Sequence, residues 1–562
     1  MSSDRSSDRT GGAMPTRDEV IARITGPGER FEIVREPVLG YELPVYVHRE
    51  HSLVEMLLAS ARYGDAEYLV TDRETITFAE HLAMAGALAA ALREEYGVRP
   101  GDRVAICAAN SPQWILAFWA TISIGAVVVG MNSMWAPAEL RHGLELTEPT
   151  ALVADERRRE LTGPVDLPVI DIEHDLPGLL ARHAGAPLLQ VAIEEDDPAV
   201  ILFTSGTSGR PKGSTHSHRN VISAVWFFLL NDAVAAEMGA PPAGRRYLLA
   251  NPLFHIAALH NLAVVRLVTG EPCVVHLGRF DIEEILRLIE RHRVTSWGAV
   301  PTMVSRLVER AERVGLDDVD LSSLRVITVN SAPSSSGLKE RLRRVLPEAG
   351  RALGTTYGLT ESSTAATLAS AAELAADPET VGRAIPTMEV EVRDPLGQPV
   401  PEGVEGEICL RGPQIHLGYW NNSEASAASV AEDGWFRTGD LGTLVAGGHL
   451  HISSRRSDLI LRGGENIYPA EVENQVLLHP AVRECIVMGV PDADYGEAVA
   501  AVVVLHEDAG PVDQELLLEH LRPRLARYKL PTVWSLGTTP LPRNATGKVI
   551  RRDVVVTAGP SH

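Results

Sequence analysis

The sequence predicts a mixed α/β protein with more than one domain, and three observations lead there. The chain has 562 residues, more than one hydrophobic core usually supports. From Ser52 to about Ile452, short β-rich runs alternate with helical stretches, the pattern of parallel sheets covered by helices. After Arg455 a fresh helix-and-strand pattern begins and runs for about a hundred residues, a common domain size.

Taken in order, residues 1–50 read as a tail and lead-in segment from their polar and Pro/Gly content. The opening MSSDRSSDRTGGA carries no apolar stretch, so a flexible tail is expected rather than a signal peptide. Arg103–Cys107, Val200–Phe203 and Arg325–Val329 are expected as strands, and Asp281–Arg291 as a helix. The longest apolar run, Trp114 to Met131, contains Gly125 and Gly130 and shifts to Ala-Val-Val-Val. It reads as a buried helix followed by a strand, because a membrane span needs ~20 uniformly apolar residues. Between Val390 and Leu450 strands dominate and glycine is frequent, as in a small antiparallel or barrel-like unit. The last domain is expected to hold a helix at Ala470–Leu478 and strands at Glu484–Gly489 and Ala498–Leu505. Helical stretches from Gln514 to Arg527, broken near Pro523, complete it. The expected divisions are 1–50, 51–454 and 455–562.

Hydrophobic residues make up 45% and charged residues 22%, which fits a globular protein. The formal net charge of -22 argues against a general nucleic-acid or anionic-membrane binder, while leaving room for a local basic pocket. The four cysteines form no C-x-x-C pair, so neither a disulfide framework nor a zinc site is expected, and a reducing cytoplasm is the natural compartment. His216 with His218, and His255 with His260, lack the helical spacing of metal pairs.

The most informative segment is Phe203-Thr-Ser-Gly-Thr-Ser-Gly-Arg-Pro-Lys-Gly213, which follows an apolar strand. Its glycines let the backbone approach a ligand closely and turn N–H groups into an anion nest. Hydroxyls add donors and Lys212 adds a point charge, which together suit a triphosphate. The order of residues is not that of a Walker loop, where Gly-Lys is followed by Ser or Thr. A bare Gly/Ser loop is more often plain surface; the lysine, proline and hydroxyl order set this one apart.

The segment resembles the signature loop of the ANL superfamily of adenylate-forming enzymes, which includes acyl-CoA synthetases. Further matches follow in that family's order: Pro252-Leu-Phe-His255, Thr356-Tyr-Gly-Leu-Thr-Glu361, Gly406–Gly412 with Gly418-Tyr-Trp420, Gly434–Asp440, Gly463–Pro469 and Asn544-Ala-Thr-Gly-Lys548. The resemblance covers about residues 50 to 552. It implies a large N-terminal domain of two α/β subdomains and a small β-barrel, with a mobile α+β C-terminal domain. It also implies a two-step reaction. A carboxylate attacks the α-phosphate of MgATP to give an acyl-adenylate and pyrophosphate, and a thiol then displaces AMP. ATP and Mg²⁺ are the implied cofactors and CoA the implied co-substrate.

The resemblance carries roles residue by residue. Thr204, Ser205, Gly206, Thr207, Ser208, Gly209 and Lys212 would cradle phosphate. Glu361 would hold Mg²⁺ and Thr360 contact phosphate, with Thr356, Tyr357 and Gly358 beside the adenine and Tyr357 stacked on it. Ser331, Ala332 and Pro333 fall in the adenine-side segment, where Asn330-Ser-Ala-Pro333 is less glycine-rich than usual. Asp440 would accept both ribose hydroxyls, which an acceptor-only carboxylate suits, and Arg455 would also meet the nucleotide. Lys548 matches the catalytic lysine, a positioned ammonium that offsets charge building at the α-phosphate. His255, Trp297, Gly298 and Val300 are the acyl-pocket candidates, and Gly463 and Gly464 would line the thiol tunnel. Ser457 stands at the hinge, where Ser454-Arg-Arg-Ser-Asp458 departs from the family's Gly-Arg-x-(Asp/Lys)-Asp.

The acid is expected to be a medium- or long-chain fatty acid or another bulky apolar acid, since the pocket candidates offer no cation for a second carboxylate. An amine or carrier-protein acceptor is the alternative. A non-catalytic nucleotide binder and a luciferase-type oxidase rank behind it. The absence of Asp after Phe254 argues against an α-amino acid. Among partners, neither nucleic acid nor a membrane span is expected. The resemblance admits a homodimer, and a lysine acetyltransferase acting on Lys548.

Overall fold

The computed structural model describes residues 15–189, 191–204, 211–239, 244–329, 336–351, 354–455, 458–462, 465–492, 495–543 and 549–556. The opening MSSDRSSDRTGGA lies outside these residues, and the rest of the 1–50 lead-in is folded, as the helix Arg17–Ile24 and the antiparallel pair Ile33–Val38 and Tyr41–Tyr46.

Two helix-flanked sheets form the larger part of the molecule. The first has seven strands in the order Gly418–Tyr419, Lys212–Ser217, Pro198–Thr204, Val127–Gly130, Arg103–Cys107, Ala151–Ala154 and Val169–Asp171. The last five run parallel, and Lys212–Ser217 turns back antiparallel on Pro198–Thr204. The second sheet has six strands: Val326–Val329, Ser296–Ala299, Tyr247–Leu249, Cys273–Val275, Glu67–Val70 and Thr75–Thr77. It is parallel except for the final hairpin.

The run from Trp114 to Met131 is indeed a helix, Pro112–Ser123, and then the strand Val127–Gly130. Pro112 occupies the first helical turn, and Ser111 caps it by accepting from the Trp114 N–H at 3.1 Å. Trp114, Phe118 and Trp119 are all fully buried, as expected of a helix apolar on every side. Among the described residues, one helix is long and apolar enough to cross a membrane, His218–Glu237. Its first ten residues are all buried inside the protein. A reciprocal cap starts it: Ser217 Oγ accepts from the Asn220 N–H, and Asn220 Oδ1 from the Ser217 N–H.

The strand-rich segment forms a four-stranded antiparallel sheet, Glu389–Arg393, Glu405–Arg411, Phe436–Val445 and His449–Arg455. A bridge between Thr380 and His451 joins it to a three-stranded sheet, Thr355–Gly358, Ala365–Ala369 and Arg383–Ala384. The C-terminal part builds its own sheet on Val482–Asp492 and Gly496–Leu505; Ile460–Arg462, which carries Glu465–Ile467, and Val533–Gly537 both pair with Gly496–Leu505, on the side away from Val482–Asp492. The helices Pro469–Val476 and Gln514–Leu521 contribute to its separate core, the second ending just before Pro523. Tyr468 bonds to Glu405, and Arg483 lies 3.6 Å from Glu309, so the C-terminal part contacts the four-stranded sheet and the helix Pro301–Val314 beside the second sheet.

Candidate active site

The first sheet presents the glycine-rich segment as a hairpin connection. Lys212 pairs with Thr204 across the two antiparallel strands, so both ends of the segment are held by the sheet. The intervening Ser205, Gly206, Thr207, Ser208 and Gly209 lie outside the described residues. So do Ser331, Ala332, Pro333, Ser457, Gly463, Gly464 and Lys548. The roles implied for them remain proposals.

Facing Lys212 is the turn that carries Glu361. The strand Thr355–Gly358 leads into a single 3-10 turn, Thr360–Ser362, and then returns as Ala365–Ala369. Gly358 makes this return possible: a Cβ there would sit 2.3 Å from the Thr364 carbonyl oxygen. Glu361 Oε1 accepts a hydrogen bond from the Tyr419 hydroxyl at 2.9 Å. The Lys212 ammonium stands 4.9 Å from the centre of the same tyrosine ring, a cation–π distance. Burial raises the Glu361 carboxyl above its ordinary range, against the opposing pull of the backbone and Tyr419 hydrogen bonds. A divalent cation supplies the charge that would relieve this burial, and a hard carboxylate beside phosphate oxygens is how Mg²⁺ is held. The donor set therefore fits a magnesium–triphosphate group.

Asp440 lies on the strand Phe436–Val445, opposite Arg455. Its Oδ1 accepts from Arg455 Nε at 3.0 Å and its Oδ2 from the Tyr357 hydroxyl at 2.8 Å. The Asp440 carboxylate is thus buried and held by two donors, one of them cationic. The Tyr357 ring belongs to a core cluster with Phe227, Met388, Ile408 and Leu450. Burial, then the nearby Asp440 charge, drives its phenol well above the ordinary range, so it remains a donor.

The acyl-pocket candidates separate. Trp297 stacks on Phe280 with ring centroids 6.4 Å apart; Trp297 and Ala299 of the strand Ser296–Ala299 pack in the core of the second sheet, as does Val300 just beyond its end. A strand alternates its faces, so Gly298, between Trp297 and Ala299, presents the opposite side. Its carbonyl accepts from Asn251 Nδ2 at 3.0 Å. His255 sits in the turn before a π-helical stretch, Leu259–Val264, an irregularity common at functional sites. Burial pushes the His255 imidazole down to about 4, so it is neutral.

Sequence reasoning quoted Gly418-Tyr-Trp420 without giving Tyr419 a role, and it left out His416, Ser214 and Ser363. The tyrosine was within reach, because it stands inside a matched motif. The others become visible only when distant segments meet.

Comparison with known proteins agrees with this geometry. The AMP-binding enzyme family matches residues 58–420, and the AMP-binding enzyme C-terminal domain matches 471–548. The chain belongs to this family of adenylate-forming enzymes. Within it, the chain is an AMP-forming acid–CoA ligase. It is 36% identical to a feruloyl-CoA synthase of Amycolatopsis sp over 482 residues, covering 85% of this chain and 93% of that protein. It is 33% identical to the long-chain-fatty-acid–CoA ligase FadD13 of Mycobacterium tuberculosis over 497 residues, covering 85% and 92%. Among solved structures, o-succinylbenzoate CoA synthetase (MenE) from Bacillus subtilis with its acyl-adenylate OSB-AMP superposes with a TM-score of 0.77 at 30% identity, covering 92% of this chain and all of that one. The same enzyme has also been solved with ATP and a magnesium ion.

Proposed function

We propose that this enzyme activates a bulky, largely apolar monocarboxylic acid with MgATP and passes the acyl group to CoA. The observation that carries the reading is the half-buried Glu361 carboxylate, lifted above its ordinary range beside Lys212 and Tyr419. Such a carboxylate is suited to a cation that bridges phosphates.

In this reading Asp440 accepts the ribose hydroxyls, exchanging some of its present donors for them. Lys212 and the hydroxyls of the glycine-rich segment hold the phosphate oxygens, with Thr360 beside them. Glu361 ligates Mg²⁺, whose chemistry is to bridge phosphate oxygens and neutralise charge as pyrophosphate departs. Tyr357 contacts the adenine. Lys548 offsets charge as the acid attacks the α-phosphate. Rotation about Ser457 then brings Gly463 and Gly464 to the site for the thiol step.

The acid's class is supported by His255, whose imidazole burial pushes down to about 4, so that it offers no standing cation to a second carboxylate. The open side of Gly298 leaves room for bulk, where an added Cβ would meet only Thr328 Oγ1 at 3.5 Å. The similarity to ligases named for feruloyl and long-chain acyl groups points the same way. We place the enzyme in the cytoplasm on its four free cysteines.

The test is a pyrophosphate-release screen over aryl, fatty and dicarboxylic acids, with and without CoA. Bulky monocarboxylates should turn over, and CoA should make turnover continuous. Preference for dicarboxylates, or turnover only with an amine or carrier protein, would refute the reading.

A further inference from the structure

Behind Glu361 lies a buried polar chain that the nucleotide chemistry does not use. His216, Ser214 and Ser363 are completely buried, and His416 nearly so. Ser363 Oγ lies 2.7 Å from the Gln414 carbonyl oxygen and 2.8 Å from His216 Nδ1. A carbonyl only accepts, so the hydroxyl proton goes to Gln414 and His216 Nδ1 must donate to Ser363. Burial keeps His216 neutral, so its Nε2 carries a lone pair. That lone pair accepts from Ser214 Oγ, 3.2 Å away, and Ser214 in turn accepts from His416 Nδ1 at 2.8 Å. The direction of every proton follows from one carbonyl and one neutral imidazole.

Both ends of this chain grip Glu361. At one end, the His416 backbone N–H donates to the Glu361 carbonyl at 2.8 Å. The His416 ring packs edge-on against Tyr419, centroids 4.9 Å apart, and Tyr419 is the donor to the Glu361 carboxylate. At the other end, Ser363 follows the Glu361 turn with φ +58°, a left-handed conformation that a serine adopts only when held. His216 and Gln414 hold its hydroxyl, and His260 Nδ1 donates to its carbonyl at 3.2 Å.

We propose that His216 is a positioning residue for the divalent cation of the bound triphosphate: through Ser363 on one side and Ser214–His416 on the other, it sets the turn and the tyrosine that aim the Glu361 carboxylate. This rests on the reading of Glu361 as the Mg²⁺ ligand. It adds a residue that touches neither nucleotide nor acid.

The experiment uses the full chain, Mg²⁺, and a nonhydrolysable ATP analogue followed by calorimetry, with pyrophosphate release measured in parallel. In His216→Phe the half-saturating Mg²⁺ concentration should rise about tenfold or more in both assays, the scale for losing a partner of a metal ligand. Affinity for the analogue without metal should stay within about twofold, well below that scale. His216→Asn places an amide N–H where Nδ1 stood, and it should recover most of the Mg²⁺ response. Ser214→Ala, which keeps the His216–Ser363 bond, should show a smaller rise and carries the test with His216→Asn if the phenylalanine variant does not fold. Equal loss of analogue affinity with and without Mg²⁺, an unchanged Mg²⁺ response, or an asparagine variant as impaired as the phenylalanine one would overturn the proposal. Glu361→Gln separates the two readings. A raised Mg²⁺ requirement there with a normal His216→Phe overturns the positioning role alone, whereas a normal requirement in Glu361→Gln overturns the assignment of Glu361 itself.

Discussion

Asp440 and Arg455 stand opposite each other on neighbouring antiparallel strands, and the Arg455 guanidinium donates to Asp440 Oδ1 at 3.0 Å. The pair lies at the last strand of the four-stranded sheet, and the C-terminal sheet begins at Ile460. The carboxylate assigned to ribose is therefore tied to the last residue of the strand His449–Arg455.

Asp440→Ala should raise the KM for ATP about 10- to 100-fold, the scale of losing hydrogen bonds to a charged group. It also leaves the buried Tyr357 hydroxyl without its acceptor, which costs about 1–3 kcal/mol of stability. Tyr357→Phe should leave the KM within about threefold, because the ring and the Arg455–Asp440 pair remain. Steady-state kinetics and thermal melts check both variants, and a Tyr357→Phe defect as large as that of Asp440→Ala would reject the division.

Lys548→Ala should slow adenylate formation by about 10²-fold or more, the scale for a preorganised charge stabiliser. Thioester formation from supplied acyl-adenylate should survive. Acetyl-lysine at position 548 should act like alanine and be reversed by a deacylase, since acetylation removes the ammonium charge. Single-turnover assays of each half-reaction decide it. Ser457→Pro, which fixes φ at the proposed hinge, should instead spare adenylation and slow thioester formation.

Gly298→Ala should fold normally, because the added Cβ meets only Thr328 Oγ1 at 3.5 Å. If the open side of this strand receives the acyl group, KM should rise about tenfold for bulky acids and little for small ones, as expected when a methyl group displaces part of a ligand. A uniform loss across acid sizes would place the pocket elsewhere.

His81 predicts an acid sensitivity outside the site. It is 1% exposed, and neither ring nitrogen has a hydrogen-bond partner among the described residues. Burial pushes its imidazole down to about 3. The unfolded chain takes up this proton near pH 6.5 and the folded chain does not, so stability falls as pH drops from about 6.5 to about 3. The contribution is roughly 1.4 kcal/mol per pH unit. His81→Leu should flatten that slope and raise stability at neutral pH by about 1–3 kcal/mol, the cost of unpaired buried polar atoms. Urea midpoints across that pH range measure it, and an unchanged slope would show that His81 is not the group responsible.

Much of the fold and the site was legible in the chain because the relevant forces are local. Trp114 to Met131 announced a buried helix and strand through an apolar run interrupted by glycines. The turn after Tyr-Gly-Leu-Thr-Glu was not legible in the chain: only in the structure is Gly358 seen where the backbone must approach Thr364 closely. The helix end at Leu521 and the following break at Pro523 come from proline's missing N–H. The separation of Trp297 from Gly298 was not legible. Which face of a buried strand meets a core, and which a pocket, depends on what packs there.

The sequence by itself determined the α/β class and, through its motifs, membership of the AMP-binding enzyme family. These depend on periodicity, on backbone freedom at glycine and proline, and on spacing within single segments. Only the tertiary structure decided that His216, Ser363 and His416, which lie far apart along the chain, form one directed chain of hydrogen bonds behind Glu361. It also decided that Tyr357 offers its hydroxyl to Asp440. The physical reason is burial. In water each of these groups satisfies itself independently, and only when distant segments exclude water together must every donor find one particular acceptor.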